Sequence, residues 1–335
     1  MDKQVAICIL HHKKPRLTVA CLESLKKQTY SNYHIYLLLQ GAEQEDYITL
    51  HNVYDDWEQI TIIDNDKNQG FAEGNNILIR LALKNPDITH IVTLNNDTEV
   101  EPEFLSHILL PFDNKDVGAV QSRMMRADDH SQVDTLGIEL MMSGITFNIK
   151  TEDKIMFAVS AGAACYSRQL LETVRMQRQV TQGFQSEFVY DYFDSDYFAY
   201  AEDLDLGFRA LHAGYETAIA HDAICYHVGS ATTSVMSDFA ITHTYRNIYW
   251  TLYKNLPTLL IIKYGAFLLL GFIILWTRFL LKRKIRVFCR GIREAVRTRS
   301  AFAEKRKYIL SRTTLTPAEL EIHITKQLID RDYLP

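Results

Sequence analysis

The sequence predicts an α/β protein with a mostly parallel sheet flanked by helices, followed by a C-terminal helical region that associates with a membrane. Five apolar runs of strand length recur early in the chain, in the order VAICIL, HIYLLL, ITII, HIVTL and VGAVQ. Segments of helical length and period separate the first four runs. Alternation of strand and helix is typical of a parallel sheet covered on both faces. An apolar segment and then a basic segment follow residue 256.

Length and charge narrow the class of protein. The 335 residues exceed what one ordinary core needs, so a domain with an appendage is expected. A net charge of -5 gives no reason to expect a nucleic-acid partner. Basic residues nevertheless crowd the stretch from Arg278 to Lys307, where twelve Lys and Arg side chains are opposed only by Glu294 and Glu304. The tail is therefore basic and the remainder acidic.

The cysteines and the N-terminus indicate the compartment. Five cysteines are scattered along the chain without a Cys-x-x-Cys pair, which predicts buried thiols in a reducing compartment instead of disulfides or zinc ligands. The N-terminal stretch MDKQVAICIL has no basic leader before an apolar core, so no signal peptide is predicted.

The stretch NQGFAEGNN, from Asn68 to Asn76, lies between an apolar strand and a helical pattern. Gly70 and Gly74 permit positive φ or close backbone approach, and we expect Asn75 or Asn76 to cap the helix. Free N–H groups at the helix start would then face the crevice at the strand ends, a setting that suits phosphate or a polar base. A plain left-handed turn with a cap accounts for the segment equally well. The spacing is not G-x-G-x-x-G, so a dinucleotide-binding fold is not indicated.

The strand HIVTL ends in Asn95, Asn96 and Asp97. A carboxylate at the carboxyl end of such a strand is well placed to hold a divalent cation, and one carboxylate with an amide suits Mg²⁺ or Mn²⁺. A strand-end turn stabilised by Asn and Asp is the alternative.

The second half of the domain is less regular. VSAGAACYSR predicts a buried strand, TQGFQSEFVYDYFDSDYFAY an aromatic and acidic loop, and EDLDLGFRALHAGY a helix that ends before Gly214. Further on, the helical pattern begins near Ser234, and TPAE predicts a capping box between Thr316 and Glu319.

Acidic residues cluster at the start of the EDLDLGFRALHAGY helix. Acids in a first turn complement the helix dipole, and Asp205 can pair with Arg209 four residues on. These effects explain Glu202 and Asp203 less well, and a carboxylate beside an aromatic wall could act as a general base. His227 closes the strand TAIAHDAICYH just before Gly229 and Ser230, so it is a candidate ligand.

Taken in order, these segments resemble the bacterial and archaeal family 2 glycosyltransferases, which have the Rossmann-like GT-A fold. The similarity extends from about Val5 to Ser234. It is greatest to a rhamnosyltransferase-like branch with the motifs Asn-x-Gly-Phe-Ala-x-Gly-x-Asn, Leu-Asn-x-Asp-Thr and Tyr-x-Glu-Asp-x-Asp-Leu. The resemblance implies a catalytic domain at 1–240, with a nucleotide-sugar half at about 1–120 and an acceptor half at about 121–240. We expect residues 241–335 to form a helical, apolar and basic membrane-associating region.

The resemblance also implies roles for single residues. Asp203 matches the catalytic base and Glu202 its neighbour, while Asp97 and His227 match contacts of a Mg or Mn ion on the donor diphosphate. The residues implied to bind the nucleotide sugar are His12, Gln40, Asn68, Gly70, Gly74, Asn76 and Asn95.

Two strand ends depart from the family pattern. The first strand commonly ends Thr-Tyr-Asn but here ends Leu10, His11, His12, Lys13, and His12 could stack on a base. The second commonly ends with an acid that accepts the N3–H of uracil or thymine. Here Gln40 offers a carbonyl acceptor instead.

The implied activity is inverting transfer of a sugar, with rhamnose one candidate, from a nucleoside diphosphate. The acceptor is a hydroxyl of a glycan or a polyprenyl-phosphate-linked saccharide in surface polysaccharide assembly, bound by variable loops at 126–154 and 176–200. A non-catalytic nucleotide-sugar or glycan-binding protein with a decayed site is the alternative; the altered strand ends favour it, whereas Asp97 and Asp203 oppose it. A nucleotidyltransferase would need a basic Gly-rich loop, and HHKKP has no glycine. A membrane-bound structural subunit would leave the site motifs unexplained.

The segment at 256–299 allows three interpretations: a transmembrane helix, a buried core helix, or a helix lying in one leaflet. Apolar residues on every face from Tyr264 to Trp276 oppose a core helix. Basic residues on both flanks oppose a span, because they favour the cytosol. We expect a peripheral or re-entrant segment on the cytoplasmic face of the cell membrane, with Trp276 near the headgroups and the basic helix on anionic lipid. A homo-oligomer interface is the alternative.

Overall fold

The computed structural model describes residues 3–182, 185–229 and 236–330. Its strands are β1 (Gln4–His11), β2 (Tyr33–Gln40), β3 (Ile60–Asn65), β4 (Ile88–Asn95), β5 (Thr98–Val100), β6 (Val117–Arg126), β7 (Val133–Thr135), β8 (Ile138–Leu140), β9 (Thr146–Asn148), β10 (Ala163–Ser167), β11 (Met176–Gln182), β12 (Gln185–Asp191) and β13 (Glu216–His227). Its α-helices are α1 (Pro15–Leu25), α2 (Gln44–Tyr54), α3 (Gly70–Ala82), α4 (Phe104–Ile108), α5 (Arg168–Val174), α6 (Glu202–His212), α7 (Asp238–Asn255), α8 (Thr258–Leu281), α9 (Ile285–Thr298), α10 (Ala303–Leu310) and α11 (Pro317–Ile322).

The main sheet confirms the predicted architecture. Its strand order is β3-β2-β1-β4-β10-β6-β13-β5, and β7 adds to β6. The first four strands are parallel, as is the β6–β13 pair, whereas β10 and β5 run antiparallel to their neighbours. The carboxyl ends of β1, β2 and β4 therefore meet at one edge of the sheet, where such folds bind ligands.

Helices cover both faces of the sheet. One core includes Leu22 of α1 and Leu50 of α2, and the other includes Leu78 of α3 and Leu206 of α6. Helix α2 occupies the second of the three intervals that were predicted to be helical, and of its side chains Asp46, Leu50 and Tyr54 are buried. The prediction of buried thiols is confirmed: all five cysteines are free, and four are buried.

Two local predictions are wrong. Asn75 and Asn76 do not cap the helix after NQGFAEGNN, because α3 already begins at Gly70 and both asparagines are buried inside it. The segment predicted as a loop wall forms a β11–β12 hairpin followed by a 3₁₀ turn, Ser195–Tyr197. Backbone pairing between the two strands outweighs the acidic and aromatic composition that suggested a loop.

Other local predictions are confirmed. Asp205 and Arg209 form an ion pair of 2.9 Å. Thr316 and Glu319 form the expected capping box. The long C-terminal helix begins at Asp238, with the Ser237 hydroxyl accepting a hydrogen bond from a backbone N–H. Residues 230–235, which include Ser230 and Ser234, lie outside the described residues.

The C-terminal helices pack closely onto α6. The ammonium of Lys254 on α7 is fully buried, 2.5 Å from an Asp194 carboxylate oxygen and 2.7 Å from one of Asp205. Lys305 on α10 lies 2.5 Å from the other oxygen of Asp194. Burial alone would raise the pKa of Asp194, but the two lysines outweigh it and the pKa is lowered. The predicted boundary after residue 240 falls inside α7, whose far end is tied to α6 by this network.

Replacing Lys254 with Met leaves Asp194 and Asp205 buried with one positive partner fewer. Breaking a buried ion pair from one side typically costs about 3–5 kcal/mol, so Lys254→Met is expected to lower the free energy of unfolding by that amount in urea. The matched control is Lys263→Met, because Lys263 pairs with Glu321 at the surface. An ion pair of that kind contributes about 0–1 kcal/mol to the free energy of unfolding. Equal losses in the two variants would contradict a stabilising role for the buried network.

Candidate active site

A cavity of about 760 Å³ opens at the carboxyl ends of β1, β2 and β4. It lies at the edge of the sheet where ligands were expected, and most of the predicted site residues line it. The predicted residues on its wall are His12, Gln40, Asn68, Gly70, Asn95, Asp97, Glu202, Asp203 and His227. Gly74 and Asn76 are the two predicted residues that do not reach it.

Three side chains form a line on one wall of the cavity. The His227 Nε2 atom lies 3.3 Å from Asp97 Oδ1, and its Nδ1 lies 2.7 Å from Asp134 Oδ2. Burial alone would lower the pKa of His227, but the two carboxylates outweigh it and raise the pKa to about 9. Asp134 was missed by sequence reasoning, because it lies on the three-residue strand β7 in a segment without a clear pattern.

The donor atoms of these side chains show whether the wall is suited to bind a divalent metal ion. Across residues 3–182, 185–229 and 236–330, no group of three or more His, Cys, Asp or Glu side chains is arranged to hold a metal ion. Asp97 and His227 nevertheless lie side by side, and the Nε2 atom of His227 can serve as a ligand once a metal ion displaces its proton. Asp134 orients the imidazole as second partners of metal-bound histidines do. This donor set fits an ion that takes its remaining oxygens from diphosphate and water.

Asp203 sits in the first turn of α6 with its carboxylate on the cavity wall. Its Oδ1 accepts a 2.8 Å hydrogen bond from the Leu204 N–H, and its Oδ2 accepts a 3.3 Å bond from the Ala161 N–H. Burial raises the pKa of Asp203 above the usual carboxyl range. A fixed carboxylate of raised pKa is suited to accept a proton.

Glu202 differs from Asp203 in its surroundings. It is buried, and its Oε2 has no hydrogen-bond partner within the described part of the chain. Burial, followed by repulsion from Asp203, raises the pKa of Glu202 well above the usual range. When two adjacent carboxyls compete for ionisation, the better-solvated one ionises first. The negative charge is therefore favoured on Asp203, and Glu202 is favoured as the protonated neighbour.

The backbone leading into α6 is strained. Phe198, Tyr200 and Ala201 have positive φ angles of 64°, 73° and 63°, a region that L residues with side chains rarely adopt. Each such residue costs about 1–3 kcal/mol, so the surrounding contacts must hold the loop in place.

Asn247 of α7 supplies the principal contact. Its fully buried Nδ2 donates to the carbonyl oxygens of Tyr197, Ala199 and Tyr200 at 3.0, 2.8 and 2.7 Å. Three carbonyl groups of the loop therefore converge on one amide, and α7 positions the start of α6 and with it Asp203. Sequence reasoning missed this contact, because a single Asn in a helix has no special pattern.

The start of α3 holds the same loop from the other side. Gly70 has a φ of +78°, and a Cβ atom there would lie 2.4 Å from the carbonyl oxygen of Phe198. The Phe198 carbonyl also accepts a 3.1 Å hydrogen bond from the Ala72 N–H. The glycine of the NQGFAEGNN segment thus allows contact between two parts of the site.

Gln40 holds the loop before α3. Its Oε1 accepts a hydrogen bond from the Gln69 N–H at 3.1 Å, and the side chain is buried. An amide oxygen has a second lone pair and Gln40 lines the cavity, so contact of this carbonyl with a pyrimidine base stays a prediction. His12 is fixed in turn by a 2.9 Å contact between its Nδ1 and the carbonyl oxygen of Gln40.

Asn76 and Gly74 lie behind the cavity wall. The amide of Asn76 donates to the Phe193 carbonyl at 2.7 Å and accepts from the N–H groups of Tyr192 and Phe193 at 2.9 and 3.0 Å. Gly74 packs against Gln40 and Leu10. In this structure both residues support the wall and do not face the cavity.

The other side of the cavity comes partly from segments expected to bind the acceptor. The segment at 126–154 contributes Asp134, Thr135, Ile138, Thr146, Phe147 and Asn148, and the segment at 176–200 contributes only its end, Phe198, Ala199 and Tyr200. Helix α7 adds Phe239, from the predicted acceptor half, and Thr244 and Ile248, which sequence reasoning had assigned to the C-terminal region.

Comparison with protein families identifies the chain. Residues 6–175, about half of its length, match the family model described as Glycosyl transferase family 2. The chain belongs to glycosyltransferase family 2. A search of curated proteins found no significant match to it.

Solved structures share the fold of this family 2 glycosyltransferase at low sequence identity. GalNAc-T7 with UDP, GalNAc and Mn²⁺ gives a TM-score of 0.59 at 11% identity, covering 80% of this chain and 50% of that one. The mannosyltransferase PcManGT from Pyrobaculum calidifontis with GDP-Man and Mn²⁺ gives 0.54 at 14% identity, covering 96% and 85%. S. aureus TarS 1–349 with UDP gives 0.51 at 12% identity, covering 75% and 66%. The chain thus spans half the length of GalNAc-T7 and most of the mannosyltransferase, and the GT-A fold is confirmed.

The contact between Asn247 and the strained loop of this glycosyltransferase can be tested by stability. Asn247→Ala leaves one buried and two partly buried carbonyl groups with one donor fewer, and an unsatisfied buried group costs about 1–3 kcal/mol. We expect a decrease of that size in the free energy of unfolding, measured in urea. The control is Asn52→Ala, since Asn52 is exposed on α2 and should change stability by about 0.5 kcal/mol or less. A loss no larger than that of the control would show that Asn247 does not stabilise the loop.

Proposed function

We propose that this protein is an inverting glycosyltransferase that moves a sugar from a nucleoside diphosphate donor to a hydroxyl of a glycan or lipid-linked saccharide. Family membership gives the reaction class. The observation that carries the proposal is the placement of Asp203 and Asp97 on the walls of one cavity, at the ends of elements that are far apart in sequence. Rhamnose is a candidate sugar and surface polysaccharide a candidate product, on the basis of the motif resemblance.

Asp203 would act on the acceptor. Its carboxylate accepts the proton of the acceptor hydroxyl while that oxygen attacks the anomeric carbon from the face opposite the leaving group. The C–O bond to the nucleoside diphosphate breaks as the new glycosidic bond forms, so configuration inverts. The N–H groups of Leu204 and Ala161 keep the carboxylate oriented, and protonated Glu202 adds no competing charge beside it.

The leaving group needs positive charge near it. Asp97 and His227 would hold a divalent Mg or Mn ion, which when bound offsets the negative charge that develops on the diphosphate. GalNAc-T7 and PcManGT, which share the fold, are both described with Mn²⁺ and with a nucleotide or nucleotide sugar, in agreement with this proposal. His12 and the 68–70 loop lie on the same wall and would contact the nucleotide.

The proposal is tested with a panel of nucleotide sugars, by measuring release of the nucleoside diphosphate, and with the variant Asp203→Asn. A general base is typically worth about 10²–10⁴ in rate, so Asp203→Asn should slow turnover by that factor while donor affinity is retained. Because the carboxylate must be ionised to accept a proton, turnover should also fall as pH drops through the raised pKa of Asp203.

The control for this experiment is Asp56→Asn, an exposed aspartate at the end of α2 away from the cavity. Near-normal turnover of Asp203→Asn would reject Asp203 as the base. Tight binding of a nucleotide sugar without turnover by the unmodified protein would favour the non-catalytic binding protein instead.

A further inference from the structure

Helix α8 lies along the body of the protein. It is 24 residues and so about 36 Å long, and among the described residues it is the one helix long and apolar enough to cross a membrane. One of its faces is buried from end to end, through Leu260, Tyr264, Gly271 and Phe279. At Gly271 the approach is so close that a Cβ atom would lie 2.3 Å from the carbonyl oxygen of Ser143.

This packing argues against a simple transmembrane span. A spanning helix attached along its whole length to a polar domain would draw that domain into the hydrocarbon, where polar backbone and charged groups are costly. The apolar residues that appear on every face in the sequence therefore divide between two environments. The inner face meets the protein, and the outer face is left open.

The outer face of α8 is a continuous apolar stripe. Its exposed side chains recur three or four residues apart, so they lie on one side of the helix: Leu259, Ile262, Ala266, Leu269, Ile273, Trp276 and Leu280. Single exposed apolar residues are ordinary, but a contiguous stripe of this length marks an interaction surface.

Helix α9, which follows α8 in the chain and contacts it, carries a positive stripe on its exposed face. Arg286, Arg290, Arg293 and Arg297 are exposed and recur at helical spacing, while the opposite face is buried against α7. The Phe279 ring of α8 stacks on the Phe288 ring of α9 at 5.1 Å, so the two helices are direct neighbours. In the part of the chain that the structure describes, the ion pairs near these arginines join Lys284 to Asp238 and Glu294 to Arg246.

We propose that the outer stripe of α8 and the arginine stripe of α9 form a docking surface for an anionic lipid bilayer, with α8 lying in the plane of the membrane. Apolar side chains enter the interface and arginines meet lipid phosphates, the arrangement of amphipathic membrane-surface helices. Charge selects this occupant over a second copy of the chain. In a two-fold contact covering both helices, each arginine stripe would face either the partner's arginine stripe or its apolar stripe, with few acids to oppose it.

The surface is close to the acceptor side of the cavity. Ser143, which touches Gly271 of α8, lies in the turn between β8 and β9, and Phe147 of β9 lines the cavity. Helix α7 lines the cavity through Phe239 and packs on α9 through Tyr245, whose ring lies 5.1 Å from that of Phe288. The acceptor wall is thus about one helix layer, roughly 8–10 Å, from the proposed bilayer surface. This consequence rests on the proposed function: the acceptor would be a saccharide carried on a membrane lipid.

The test is flotation of the full-length protein with vesicles. Vesicles of phosphatidylglycerol and phosphatidylcholine should carry the protein upward, less so at high salt, and phosphatidylcholine alone should carry much less. The triple variant R286E/R290E/R297E should lower the bound fraction at least about tenfold, because each basic residue near such a surface adds about 1 kcal/mol. The control, K27E/K84E/K115E, makes the same charge change at exposed lysines on other parts of the domain and should bind normally.

The apolar stripe is tested separately with Ile262→Glu, and Ile48→Glu on the exposed face of α2 is the matched control. The first should reduce flotation and the second should not. Equal effects in the variant and control of either pair, or no flotation of the unmodified protein, would overturn the proposal. A dimer that Ile262→Glu converts to a monomer, without any vesicle binding, would assign the surface to a second copy of the chain.

Release of nucleoside diphosphate from the donor is measured on the same samples. Intact turnover without vesicle binding rejects the docking surface and leaves the proposed function standing. Vesicle binding without turnover of any donor supports the docking surface and rejects the proposed function.

Discussion

The buried charge network around Lys254 is the constraint on which the site depends. Asp205 of α6 lies between Lys254 and Arg209, and Asp194 lies between Lys254 and Lys305. Charges removed from water are tolerated only when their partners are held in good geometry, so α6, α7 and α10 cannot shift independently. The first turn of α6 carries Asp203. The C-terminal helices are therefore part of the scaffold of the site, and a chain cut after α7 would lose Lys305 from this network.

The strained backbone at the start of α6 is also held by contacts with neighbouring helices. Three residues with positive φ turn the chain so that Asp203 meets the Ala161 N–H on the cavity wall. Asn247 of α7 and Gly70 of α3 hold that turn from opposite sides. A general base is useful only if its oxygen stays within reach of the proton that it accepts, so fixing this turn links packing to chemistry.

Sequence reasoning predicted the features that depend on short-range patterns. The parallel sheet, the Asp205–Arg209 pair and the capping box at Thr316 are confirmed, and Asp97 and Asp203 line one cavity. Features that depend on distant contacts were not predictable in this way. Asp134 reaches His227 across 93 positions, and Asn247 reaches Ala199 across 48. Nothing in their local sequences signals these partners.

Helix α8 shows the same limit in another form. Its composition predicts an apolar environment on all sides, but it does not show which face contacts the protein and which face contacts lipid. The packing of Leu260, Tyr264, Gly271 and Phe279 against the protein shows which face is already covered. The β11–β12 hairpin is a third case, because its strands are stabilised by pairing with each other and not by an apolar face.

The central claim is that a nucleoside diphosphate sugar is bound and used in the cavity between Asp97 and Asp203. The most direct measurement is a crystal structure with Mn²⁺ and the nucleoside diphosphate of the best donor, with the metal located by its anomalous scattering. The account predicts a manganese peak in contact with Asp97 and the diphosphate, and the nucleotide on the wall formed by His12 and the 68–70 loop. Nucleotide and metal bound together outside this cavity would contradict it.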